Sequence, residues 1–198
     1  MSNHYYSKAP EMKHNRQTVE TLLKGQKLKF VTDAGVFSKA GVDYGSKVLI
    51  DAMELGEADR VLDVGCGYGP IGLTAAKLVT QGRVTMIDIN ERAVELAKEN
   101  AGLNGIRNVN ILQSDLFSAV TEKEYDVILT NPPIRAGKAV VHRIFEEGYA
   151  HLREGGYMWV VIQKKQGAPS AKEKLELLFG EVTEVTKDKG YRIFRAKK

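Results

Sequence analysis

The order of apolar runs in this chain predicts an α/β protein: a mostly parallel sheet with helices on both faces and an antiparallel pair at its end. Three observations carry that prediction. From Asp59 onward, apolar runs of strand length alternate with segments of helical periodicity, the pattern of crossover helices laid over a parallel sheet. Residues 157–162 are apolar throughout, as a strand covered on both faces must be. Residues 181–186 and 191–196 are joined by a short turn at 187–190, so that last pair runs antiparallel.

Taken in order, residues 60–64 form the first core strand. Residues 70–78 follow as a helix, with Pro70 in the first turn, where a missing N–H costs nothing. Residues 83–89 are a strand. Asn90 then caps a helix that sets Ala93, Val94, Ala97 and Ala101 on one face and stops near Gly102 to Gly105. Strands are expected at 108–113 and 125–130, a helix at 140–152 ended by Gly155 and Gly156, and a helix at 172–179. No repeat, low-complexity tract or linker divides the chain. Residues 1–58 read as an N-terminal extension and cap packed on a core of residues 59–198, one compact domain overall. Residues 1–26 are basic and irregular, fitting a mobile arm or a strand-capping helix.

The chain has 198 residues, 43% hydrophobic and 27% charged, enough for one full core. One cysteine leaves no disulfide framework and points to a reducing, cytoplasmic setting. The first twenty residues hold no apolar signal region, and no apolar run approaches the ~18 residues of a membrane span. The net charge of +4 is unevenly spread. Residues 1–50 carry 8 Lys/Arg against 4 Asp/Glu, residues 51–159 carry 11 against 16, and residues 160–198 carry 10 against 5. Basic ends around an acidic centre suit an anionic macromolecule held at the periphery; the plainer reading is a solvated surface.

The informative residues gather at strand ends: Asp63 to Gly69, Asp88, Asp115 and Asn131. Ligands on such sheets bind at that edge. In Asp63-Val64-Gly65-Cys66-Gly67-Tyr68-Gly69, alternate glycines let backbone approach a ligand closely. Residues 67–72 match the dinucleotide pattern of a nicotinamide or flavin site. Two loop residues, Gly65 and Cys66, displace that match from the strand, and Asp63 would repel a pyrophosphate. A carboxylate suits a cation instead, and S-adenosylmethionine brings an ammonium and a sulfonium without phosphate. Asp88 can accept from both ribose hydroxyls. Asp115 can accept from the adenine amino group while the Leu116 N–H meets the ring. Their plainer roles are a strand-end turn for Asp88 and an N-cap for Asp115. Cys66 has no histidine near it in sequence and reads as a small packing residue. The histidines His4, His14, His142 and His151 show no metal spacing, so no metal is expected.

Residues 126–133 read Asp-Val-Ile-Leu-Thr-Asn-Pro-Pro, a buried strand running into a rigid turn. The Asn131 side-chain carbonyl and the Pro132 backbone carbonyl can together accept both hydrogens of a planar NH2 group. That grip turns the nitrogen lone pair out of conjugation and aims it at an electrophile. Without chemistry, the same residues are a stiff strand-end turn.

Together, residues 61–73, Asp88, Asp115 and Asn131 to Pro133 resemble the class I S-adenosylmethionine-dependent methyltransferases. The resemblance implies a Rossmann-like sheet of seven strands with an antiparallel final strand. Residues 35–46 (Gly-Val-Phe-Ser-Lys-Ala-Gly-Val-Asp-Tyr-Gly-Ser) are similar to the segment ahead of the catalytic domain in the ribosomal RNA small-subunit methyltransferase C family, which acts on guanine N2. Many members carry a further N-terminal half; this chain resembles the catalytic half. The resemblance implies cofactor contacts from Asp63, Gly65, Cys66, Gly67, Gly69, Asp88, Ile89, Asp115, Leu116 and Asn131. It implies catalysis by Asn131, Pro132 and Pro133. Where the amine-methylating pattern has Tyr or Phe after Pro-Pro, this chain has Ile134. Either Phe37 supplies the stacking platform or Ile134 forms an apolar lid; Arg135 and Lys138 are placed to meet phosphates, and Lys39 is a further substrate residue. The implied partner is ribosomal RNA or the small ribosomal subunit, with no membrane. Competing expectations are a protein glutamine or adenine N6 as substrate, an RNA-binding module on a degenerate fold, and a nicotinamide oxidoreductase.

Overall fold

The computed structural model describes residues 6–198. Its centre is a seven-stranded sheet of order β5-β4-β3-β6-β7-β9-β8. The strands are β3 (Arg60–Val64), β4 (Arg83–Asp88), β5 (Val109–Gln113), β6 (Tyr125–Thr130), β7 (Leu152–Gln163), β8 (Glu181–Asp188) and β9 (Tyr191–Lys197). β5, β4, β3, β6 and β7 pair in parallel, and β9 lies antiparallel between β7 and β8. The order reverses between β3 and β6, so the carboxyl ends of those strands diverge there.

Successive side chains leave a strand on opposite faces, and the core divides accordingly. Val127, Leu129, Trp159 and Val161 enter one apolar cluster with α1 (Tyr44–Ala52), α2 (Pro70–Leu78) and α3 (Glu91–Leu103). Ile128, Met158, Val160 and Ile162 enter the other, with α4 (Lys138–His151) and α5 (Ala168–Phe179). Each expected core element is present, with three boundaries moved. α5 begins at Ala168 because Pro169 sits in its first turn, with φ already helical. α4 begins at Lys138, directly after the turn at Gly137. Gly155 and Gly156 lie inside β7 at a register shift against β6, rather than between helix and strand.

The largest difference from the sequence reading lies before Asp59. Residues 17–26, within the stretch expected to form a mobile arm or helix, instead join residues 27–32 in a hairpin, β1 (Gln17–Leu23) with β2 (Gln26–Thr32). The first five residues, His4 among them, lie outside the described part. Leu23, Leu28 and Phe30 are buried in the same cluster as α2 and α3. The outer edge of β2 is closed by two amides, Asn100 of α3 and Asn104 at its C-cap. Asn100 accepts from the Val31 N–H (2.7 Å) and donates to its carbonyl (3.0 Å). Asn104 does the same for Lys29 at 2.9 and 2.8 Å. Four helical residues rise about 6 Å. Two strand residues span about 6.6–6.8 Å. The spacings match, and a helix thereby imitates a neighbouring strand.

Candidate active site

The carboxyl ends of β3, β4 and β6 open into a cleft of about 900 Å³. Its cofactor bank is the loop after β3. Gly65 and Cys66 N–H both donate to the Ile87 carbonyl at 2.9 Å, which fastens the loop to the end of β4. Gly65 and Gly67 have φ of +75° and +55°, and a Cβ on either would meet no atom within 4 Å. Both line the cleft, so any side chain there would occupy ligand space.

Asp88 holds this bank together. One carboxylate oxygen accepts from the Gly67 N–H and the other from the Asn90 N–H, both at 2.8 Å. Burial raises its pKa to about 6, against the pull of those N–H donors. Asn90 caps α3 and donates through Nδ2 to the Gly35 carbonyl at 2.8 Å, tying the N-terminal segment to the site.

Asp63 is fully buried behind the loop, and neither of its oxygens has a hydrogen-bond partner meeting normal geometry. It packs beside Gly72 in the first turn of α2, where an added Cβ would come within 2.8 Å of the carboxylate. Burial pushes its pKa up to about 8, against the pull of the nearby Gly72 N–H. A buried carboxylate this short of donors behind an open glycine loop suits a cation in the cleft, and the ammonium and sulfonium of S-adenosylmethionine fit that need. Cys66 is buried, its thiol pushed well up by burial and by Asp88 and Asp63, as a packing residue would be.

Of the residues singled out for the cofactor, Gly65, Cys66, Gly67, Asp88, Ile89, Leu116 and Asn131 line the cleft. Asp63 and Gly69 stand behind it, Gly69 as the N-cap of α2. Asp115 is exposed at its margin, next to Leu116, which takes a left-handed φ of +50°. Ser114 holds that bend by donating to the Leu116 carbonyl at 2.7 Å. Tyr6 also lines the cleft, and its pKa is raised by burial and by the charges of Asp115 and Asp88. No local motif pointed to Tyr6.

The opposite bank is the end of β6. Thr130 donates to the Val64 carbonyl at 3.0 Å and locks this strand end to that of β3. Asn131 Nδ2 donates to Asp43 Oδ2 at 3.2 Å and to Ser46 Oγ at 3.0 Å. Among the described residues, nothing donates to the Asn131 side-chain carbonyl or to the Pro132 carbonyl. Pro133 starts a single tight turn through Ala136. Phe37 lines the cleft and is 42% exposed. Ile134 and Lys138 instead line a second cavity of about 380 Å³ between α4 and α5. Arg135 and Lys39 are exposed and line neither cavity. Asp43 and Ser46 are cleft residues that the sequence reading did not single out for chemistry; their helix α1 had not been foreseen. Among the described residues no cluster of three or more His, Cys, Asp or Glu could hold a metal ion. None of their helices is long and apolar enough to cross a membrane.

Comparison with known proteins agrees with this fold. The family model of the methyltransferase small domain matches residues 27–195. Over the full length of both chains, the protein is 58% identical to the uncharacterized protein YbxB of Bacillus subtilis. It is 32% identical to ribosomal RNA small subunit methyltransferase C of Vibrio cholerae across 88% of this chain and 51% of that one. The chain thus spans about half the length of such relatives. The Thermus thermophilus 16S rRNA N2 G1207 methyltransferase, solved with AdoMet and guanosine, superposes with a TM-score of 0.83 at 27% identity, covering 96% of this chain and 52% of its own. With the family model spanning most of the chain and the sheet superposing on that enzyme, the chain belongs to the methyltransferase small domain family and has the fold of an S-adenosylmethionine-dependent methyltransferase.

Proposed function

We propose that this chain transfers the methyl group of S-adenosylmethionine to the exocyclic N2 of a guanine in small-subunit ribosomal RNA. One observation carries the reading: the Asn131 amide is engaged through its NH2 end, leaving its carbonyl and that of Pro132 as two unfilled acceptors at the cleft. A planar amine has two hydrogens to fill them. S-adenosylmethionine supplies an electrophilic methyl carbon on sulfur. With both hydrogens held, the nitrogen lone pair leaves conjugation with the ring and points along the C–S axis. The C–N bond forms as the C–S bond breaks, the sulfur keeps its electron pair, and the amine then loses a proton to water. Positioning of this kind can account for ~7–11 kcal/mol of a barrier.

Two features favour RNA over a protein glutamine. Phe37 lines the cleft, whereas Ile134 faces the second cavity, so Phe37 takes the place of the aromatic missing after Pro133. A basic rim also borders this bank. The Lys164 N–H donates to the Gly190 carbonyl at 2.8 Å, which sets Lys164 and Lys165 beside the turn carrying Lys189, at the end of β8 that carries Lys187. Lys189 Nζ lies 4.7 Å from the centre of the Tyr44 ring, next in sequence to Asp43. Such a rim meets phosphates. Adenine N6 and glutamine present the same planar amine, so the test offers all three. Incubation with labelled S-adenosylmethionine and small ribosomal subunits, protein-free ribosomal RNA or release factor should label RNA, and digestion should yield N2-methylguanosine. Label confined to protein or to adenine would refute the assignment.

A further inference from the structure

The amide of Asn131 can face the cleft in two ways, and only one presents an acceptor. Its Nδ2 lies 3.2 Å from Asp43 Oδ2 and 3.0 Å from Ser46 Oγ. A carboxylate oxygen has no hydrogen to give, so the end of the amide facing Asp43 must be the NH2. The flipped amide would set carbonyl against carboxylate. The chemistry of the pair therefore fixes the orientation, whichever way the atoms were first assigned.

Asp43 is itself held. Its Oδ2 accepts from the Ser46 N–H at 3.0 Å, capping α1, whose Val48, Leu49 and Ile50 are buried. Gly45 keeps the space open. A Cβ there would come within 2.7 Å of the Tyr191 ring and 3.2 Å of the Asp43 carboxylate. The clamp thus stands on the first turn of a packed helix, not on a loose loop. It also joins residues 88 positions apart.

We propose that Asp43, with Ser46, is a positioning residue that locks the Asn131 amide with its carbonyl toward the target amine. The proposal rests on the reading of Asn131 given above, and it assigns a task to the segment of residues 35–46. Asp43 does not touch the reacting atoms. It acts through Asn131, by removing the amide orientation that would offer the amine a donor.

The test separates orientation from turnover. Asp43→Ser keeps a good helix cap but withdraws the carboxylate. Asp43→Asn keeps an acceptor oxygen and should largely restore function. Solvent exchange of the Asn131 side-chain NH2, assigned by its loss in Asn131→Ala, should be slow in the native chain and fast in Asp43→Ser. Fast exchange in the native chain overturns the clamp, whether or not any substrate is methylated. In the methyl assay, Asp43→Ser should lower kcat about 100-fold, the scale of a small misplacement. The dissociation constant of S-adenosylmethionine and the melting temperature should hold. In an Asn131→Ala background, Asp43→Ser should have no further effect. Full kcat in Asp43→Ser, or additive losses in the double variant, overturns the positioning role. Full turnover in Asn131→Ala refutes the functional reading of the site instead, and the exchange experiment still decides the clamp.

Discussion

On the cofactor bank of the cleft, the Ile87 carbonyl holds Gly65 and Cys66 and the Asp88 carboxylate holds Gly67, all between adjacent strand ends. On the substrate bank, Asn131 is held by side chains of a helix that precedes the sheet. The first bank is mostly backbone, fastened by one carboxylate. The second is a property of three side chains, and each is needed in its place. Binding of the methyl donor and alignment of the acceptor should therefore fail separately.

The sharpest break is Asn131→Ala. It removes one of two acceptors for the amine, and kcat should fall by about 10²–10³, the loss seen when one preorganised polar group is deleted. Calorimetry should show donor affinity within a few-fold of native; a large loss of affinity would merge the two banks. Asp88→Ala attacks the other bank. It deletes charge-assisted bonds worth ~1.5–3 kcal/mol, so donor affinity should weaken about 10- to 150-fold. An unchanged dissociation constant would dismiss Asp88 as a ribose ligand. Phe37→Ala tests the platform. Loss of stacking worth ~1–3 kcal/mol should raise KM for RNA and leave donor binding intact.

A further test lies in pH. Asp63 and Asp88 titrate near 8 and 6 in the folded chain, above the 3.8 ordinary for aspartate. Folded, they hold protons that the unfolded chain has already released. Their contribution to stability is thus full below pH 3.8 and is lost as the pH climbs toward 8. A bound cation beside Asp63 favours its ionised form. S-adenosylmethionine should therefore displace a proton on binding, and its affinity should rise at most tenfold per unit between pH 6 and 8. Calorimetry in buffers of different ionisation enthalpy would detect the proton. A flat profile would remove Asp63 from the cofactor's surroundings.

The difference between the banks also decided what was readable before folding. The glycine loop, Asp88 and Asn131 announce themselves because each sits at the end of a recognisable strand. The parallel strands follow from alternation, and the antiparallel last pair from the turn at 187–190. The hairpin and α1 were missed because their burial is supplied from elsewhere: Phe30 has no apolar face to join until α2 and α3 stand beside it. Asp43 was visible as a letter in a familiar stretch, yet its partner lies too far along the chain for spacing to reveal. Tyr6 reaches the cleft only because the Glu91 N–H and the Gln113 side chain both donate to the Lys8 carbonyl, anchoring the strand of chain that carries it.

The amide that imitates a strand beside Lys29 also carries a clock. Asn104 precedes Gly105, and a following glycine leaves the backbone nitrogen unshielded for attack on the side-chain carbonyl. Deamidation would exchange the NH2 facing the Lys29 carbonyl for an oxygen, turning attraction into repulsion along that edge. An ageing preparation should then loosen first at the hairpin, and proteolysis between Gln17 and Thr32 should track the deamidated fraction measured by mass.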